Sequence, residues 1–362
     1  MSMTKSEPEQ VGEHPDPAPV DPGAFFEAGI ARPPSTGEVV VDKIFRQLSF
    51  WIALFTVLLV VLVVYDIGHV AMPAVRSYGF RFLTGSTWDP NRNTFGVLPA
   101  IAGTLYSSII GLIGGTIFGL AIAIFLSERF LAIGLESVLI FLHLDENRFF
   151  ARWPDRIENW LRTIIELLAA IPSVVFGLWG IFVVIPIIRP PANWLFSHLG
   201  WIPIFGTPLS GPGLWPASIV LAIMVLPTIS AISRDALVAV PPKIREAAFG
   251  IGATRWEAIL GVFLPTAATG IFGAMILGFG RALGETMALA MLAGNANVLS
   301  WSLFSPANTL AALLANHFPE ADPIEVGALM YAALVLLGIT LVVNIAGTLI
   351  LQRAQAGVKG LN

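Results

Sequence analysis

The chain has 362 residues, 56% of them hydrophobic and 12% charged, with a formal net charge of −4. Soluble domains carry about 25% charged residues, so this composition excludes an ordinary soluble domain and marks a membrane protein. Cysteine is absent, which excludes disulfides, thiolate metal sites and a cysteine nucleophile.

The acidity is local. Residues 1–42 hold two basic residues, Lys5 and Arg32, against eight acidic ones, and the rest of the chain is weakly positive. No nucleic acid or acidic partner is implied. This first segment is rich in Pro, Glu and Asp and poor in large apolar residues. It cannot bury enough surface to offset its ordering entropy and is predicted to be a disordered tail. It lacks a basic stretch followed by an apolar one, so no cleavable signal peptide is expected.

Six apolar runs follow, at 50–69, 98–126, 160–188, 215–232, 266–293 and 326–351. Each approaches or exceeds the roughly 20 residues that cross a bilayer core. The predicted fold class is an all-α integral membrane protein with six transmembrane helices in a permease domain at 43–352, followed by a short C-terminal tail at 353–362. With the N-terminus in the cytoplasm, every Lys and Arg lies on a cytoplasmic segment except Arg76, Arg81, Arg92 and Arg189 on outer loops and Arg281 within a span. Positive charge favours the inside, so both termini are predicted cytoplasmic.

Within the second run Gly111, Gly115 and Gly119 recur every four residues, and Gly270, Ala274 and Gly278 do so in the fifth. Small residues in a row let helices approach closely in lipid. They are expected to serve packing within the subunit, with a subunit interface as the alternative. Residues 130–159 combine a short apolar stretch with a charged, aromatic one. They read as an interfacial helix and cytoplasmic insertion, with Trp153 and Trp160 at headgroup level. Pro172 should kink the third span and free a carbonyl, beside Ser173, a candidate for the substrate path. Pro227 should bend the fourth span, and Arg162 and Glu166 are spaced to pair.

Between the fourth and fifth runs lies PPKIREAAFGIGATRWEAILGVFLP (241–265). Pro241 and Pro242 suit a helix start, and Gly252 suits the left-handed residue that ends a helix. Thr254 and Glu257 have capping-box spacing. The segment therefore reads as helix–turn–helix along the membrane surface, with Ile244, Ala247, Ala248 and Ile251 on one apolar face and Arg245 and Glu246 exposed. The fifth run contains Arg281 and Glu285. An arginine at mid-membrane costs about 3 kcal/mol or more, and positions four apart share a helix face. These two residues are expected to pair. They face either a neighbouring helix or an anion, whose oxygens a guanidinium matches as a fork. Thr286 could add a hydroxyl. The five histidines show no ligand spacing, no phosphate-binding loop of the type G-x-x-x-x-G-K-[ST] appears, and no Ser/His/Asp set is visible.

Glu246-Ala247-Ala248, Gly252 and Leu264-Pro265, with Val262 at a position where Ile is usual, resemble the EAA signature of ABC-transporter permeases. Four longer strings are similar to the PstC family of phosphate permeases within that group: FLTGSTWDPNRNTFGVLP (82–99), IELLAAIPSVVFGLWG (165–180), LPTISAISRDAL (226–237) and FGRALGETMALAMLAGN (279–295). The long tail and the 130–159 segment depart from the family pattern. The resemblance implies a type I ABC-importer permease in a bacterial inner membrane, not itself an enzyme. Its expected partners are a PstA-like permease, a PstB-like ATPase dimer that binds ATP and Mg, and a PstS-like extracytoplasmic phosphate-binding protein. The resemblance makes Arg281 and Glu285 transport residues, and Glu246, Ala247, Ala248 and Gly252 ATPase-coupling residues, with the adjacent Arg245 a further coupling candidate. A permease for another oxyanion, such as sulfate or molybdate, and a non-conducting phosphate-signalling subunit are the alternatives.

Overall fold

Glycine determines how the centre of the bundle is packed. The computed structural model describes residues 35–130 and 153–359, except for the side chains of 153–155 and 354–359. Six of its helices are long and apolar enough to cross a membrane. Helix α1 (Thr36–Tyr78) runs through two units of the chain, divided after Val63. In the first unit the described residues, 35–63, form a helix that is exposed along its length.

The second unit contains the remaining spans. Helices α2 (Leu98–Ser127) and α5 (Leu214–Val238) lie side by side along the glycine stripe. A methyl group added at Gly111 would sit 2.9 Å from Leu221, one at Gly119 3.1 Å from Ile229, and one at Gly115 would overlap Val225. Across the same isoleucine, Gly278 of the fifth span leaves 2.9 Å, and Gly270 abuts Ala236. Ile229 therefore sits in a cradle of glycines from two helices. Both stripes are packing surfaces within the subunit, as expected. Gly115→Ala should destabilise the assembled protein by about 1–3 kcal/mol through overpacking. Gly273→Ala, at a glycine with open space around it, should be neutral. Thermal unfolding of the two variants would check this.

The third run departs from the prediction. It divides into α3 (Trp153–Ala170) and α4 (Ser173–Leu199), interrupted at Ile171 and Pro172. Pro172 is extended, at φ −58° and ψ 141°. This is a break rather than a kink, and hydropathy runs across it unchanged. The 131–152 part of the expected insertion lies outside the described residues. Helix α5 continues through Pro227, whose carbonyl accepts a hydrogen bond from Ser230 Oγ at 3.1 Å.

The polar loop before the fifth span also differs. Its first part is the helix α6 (Pro242–Gly250), but the second does not lie apart as a surface helix. It is the start of α7 (Arg255–Leu283), continuous with the span. A π-helical turn at Ile259–Phe263 precedes Pro265. A wider turn accommodates a proline that can neither donate to nor fit the regular α ladder. The span then stops at Leu283 and resumes as α8 (Met287–Leu292). Helices α9 (Leu310–His317) and α10 (Pro323–Lys359) complete the unit.

A short hairpin, β1 (Trp88–Asp89) and β2 (Thr94–Phe95), joins α1 to α2. Trp88 Nε1 donates to the buried Glu325 at 2.9 Å, and His317 Nδ1 lies 3.0 Å from the same oxygen. Phe82 stacks on Tyr331 with centroids 4.3 Å apart. These contacts fix the hairpin on α9 and α10.

Candidate functional site

The interruption of α7 lies midway along α5. At one end of α5, Gly213 N–H donates to Leu292 O at 2.8 Å. Towards the other end, Ala236 meets Gly270. Between them, Ala288, Leu289 and Leu292 of α8 share an apolar cluster with Ala217, Val220, Leu221 and Met224 of α5. The residues Gly284, Glu285 and Thr286 thus lack regular helical pairing midway along the bundle, with Gly284 exposed and Glu285 and Thr286 half-buried in this isolated chain. Glu285 N–H reaches Ala282 O at 3.4 Å, and Thr286 Oγ1 donates to Gly284 O at 3.1 Å.

This geometry corrects the expected ion pair. Arg281 does not pair with Glu285, because the helix ends between them and the four-residue spacing no longer fixes a common face. Instead, Arg281 Nη1 donates to Thr228 Oγ1 of α5 at 3.2 Å, and the rest of the guanidinium is exposed in this isolated chain. Among the described residues Arg281 has no acidic partner within ion-pair distance. A guanidinium has five donors, so most of Arg281's donors are open to a ligand. Glu285, when ionised, can only accept.

Ser173 is the first residue of α4, half-buried just after the break at Pro172. One turn on, a methyl at Gly177 would sit 2.7 Å from Met291 Sδ of α8. With a rise of about 1.5 Å per residue, Ser173 and the Glu285–Thr286 segment stand at one height. Two residues of this region escape a sequence reading. Thr228 lies in the 226–237 string but has no role assigned by it, and Asn344 of α10, whose Oδ1 lies 3.5 Å from a methyl built at Gly280, is signalled only as a lone amide in an apolar run.

The second assembly lies at the other end of α5. Gly252 adopts φ +86°, as a left-handed helix end requires. Thr254 and Glu257 form the expected capping box, with Thr254 N–H donating to Glu257 Oε2 at 2.8 Å. Arg245 is not exposed as expected. Its Nη1 donates to Glu128 Oε1 at 2.7 Å, its Nη2 to Leu237 O at 2.7 Å, and its guanidinium lies 4.5 Å over the Phe263 ring. One side chain therefore ties α6 to α2, α5 and α7. The expected apolar face also divides. Ala248 is buried with Ala258, Ile259 and Phe263, while Ile244, Ala247 and Ile251 face outward with Glu246. Ile251 is 85% exposed and Trp256 59%. A cluster of large apolar residues left uncovered on an otherwise polar segment marks an interaction surface.

Arg162 pairs with Glu166 as expected, at 2.8 Å, and this hydrogen bond raises the guanidinium pKa above its ordinary value. No metal-binding cluster of His, Asp and Glu occurs among the described residues.

A broken span carrying an arginine, among six helices long and apolar enough to cross a membrane, defines a multi-pass membrane component. The family described as binding-protein-dependent transport system inner membrane component matches residues 148–356. Two relatives are named phosphate transport system permease protein PstC. That of Pasteurella multocida is 36% identical, covering 87% of this chain and 93% of the relative. That of Haemophilus influenzae is 35% identical, covering 87% and 94%. A third, from Methanocaldococcus jannaschii, is named a probable PstC and is 33% identical, covering 78% and 85%. The chain belongs to the PstC family of multi-pass membrane permeases.

Proposed function

We propose that the chain is the channel-forming permease subunit of an ATP-driven importer of inorganic phosphate, working by alternating access. The observation that carries this reading is Arg281, placed beside a mid-span break with most of its donors uncommitted, in a chain whose relatives are named for phosphate transport. A guanidinium fork suits phosphate oxygens, Thr286 and Ser173 stand at the same height, and Glu285 accepts a hydrogen bond from the hydroxyl of hydrogen phosphate while disfavouring a fully deprotonated oxyanion.

The partners we infer are a PstA-like permease forming a heterodimer, a PstB-like ATPase dimer holding ATP and Mg, and a PstS-like phosphate-binding protein outside. The membrane is the bacterial inner membrane, with both termini cytoplasmic. The exposed Ile244, Phe249, Ile251 and Trp256 support ATPase docking on α6, with Glu246, Ala247 and Gly252 beside them. ATP binding then moves this segment as a lever, and the ATPase must contact it differently in the two states.

The test is radiolabelled phosphate uptake at low external phosphate, in cells lacking their own high-affinity permease and supplied with this chain and its partners. Restored uptake that excess sulfate does not compete away is expected. An assembled complex that imports no phosphate would overturn the reading.

A further inference from the structure

A second group of charges lies on the side of α5 facing α3, near the end that leads into α6. A cavity of about 120 Å³ opens there between α2, α3 and α5, with Arg162, Glu166, Ser230, Arg234 and Asp235 on its walls. Arg162 is committed through Nε to Glu166 at 2.8 Å. Arg234 is different. Its side chain is only 23% exposed, yet among the described residues its one ionic neighbour is the adjacent Asp235, 3.6 Å from Nη1 and itself 74% exposed. That separation exceeds the roughly 3.2 Å limit of a good N–H···O bond. Nor does Arg234 close the end of α5, since Leu237 O is taken by Arg245. No hydrogen bond from Arg234 occurs among the described residues.

Most of the Arg234 side chain is covered, but its guanidinium nitrogens stay accessible and line the cavity, with donors that no described residue takes up. We propose that this cavity binds a phosphate-type oxyanion, gripped by the Arg234 fork with the terminal nitrogens of Arg162 alongside. The flanking carboxylates of Glu166 and Asp235 favour a singly charged form, either dihydrogen phosphate or the phosphodiester headgroup of an anionic lipid. This site is separate from Arg281: α7 packs on α5 through Thr228, Ile229 and Ala236, whereas the cavity takes Ser230, Ala231, Arg234 and Asp235. It therefore stands whether or not the transport reading does.

The experiment uses the complete purified transporter, carrying Arg281→Ala to silence the mid-span arginine. It is placed in nanodiscs of phosphatidylcholine alone or with phosphatidylglycerol. Radiolabelled inorganic phosphate binding is measured in the first, and phosphatidylglycerol retention by native mass spectrometry in the second. Arg234→Gln should weaken one of the two by about tenfold or more, and Asp235→Asn should strengthen the same one. Loss of phosphate binding identifies free phosphate as the ligand, and loss of lipid retention identifies the headgroup. Arg234→Lys, which keeps the charge without the fork, should fall between and serves if the glutamine variant does not assemble. An assembled Arg234 variant that binds phosphate and retains lipid like its parent overturns the proposal.

Discussion

Arg281→Ala should lower phosphate uptake by an assembled transporter at least about a hundredfold, taking two charge-assisted hydrogen bonds to the ion as the interaction lost. The structure explains why folding should survive. Among the described residues the side chain makes one hydrogen bond, to Thr228 at 3.2 Å, and no ion pair, so its removal leaves none of their carboxylates without a partner. Arg281→Lys keeps a positive charge but not the planar fork and should retain part of the activity. Uptake measured beside the yield of purified complex separates transport from assembly. An assembled alanine variant with undiminished uptake would show that the charge only braces the bundle.

Arg245→Ala should have the second largest effect, and of a different kind. Arg245 holds Glu128, Leu237 O and the Phe263 ring at once. Its loss leaves a mostly buried carboxylate without a partner and frees α6 from the three helices it should move. Breaking such a pair costs about 2–4 kcal/mol. The transporter should then hydrolyse ATP while importing little phosphate. A melting-temperature series gives the stability loss, and the ratio of phosphate imported to ATP hydrolysed gives the coupling. Glu128→Ala should reproduce part of the defect, and the double variant should be less harmful than the sum of the two, as residues in direct contact require. Full coupling in an assembled Arg245→Ala complex would assign the residue to packing alone.

The sequence made the local chemistry readable. Six apolar runs, the capping box at Thr254 and Glu257, the left-handed Gly252 and the small-residue stripes all have physical causes that act within a few residues. The interruptions were not readable in the same way. At 171–172 and 284–286 the chain stays apolar or small on both sides, so a hydropathy window passes over them. The Arg281–Glu285 pairing rested on an unbroken helix, and the three non-helical residues 284–286 remove that premise. Arg245 was assigned to the surface because charged residues usually lie there. Its actual direction depends on Glu128 and Phe263, more than a hundred and almost twenty positions away in sequence respectively, which no local pattern encodes. Thr228 and Asn344 gain meaning only from what packs against them.

The glycine cradle around Ile229 has a mechanical consequence. With Gly115 and Gly119 on one side and Gly278 on the other, α2, α5 and α7 interlock too tightly for one to slide past another, and Arg245 clamps the same three helices at their shared end. Stiffness is therefore concentrated in this core, and compliance at the helix breaks at Ile171–Pro172 and Gly284–Thr286. A push delivered at α6 would be carried undamped to the height of Arg281 and absorbed there, in the segment that holds Glu285 and Thr286.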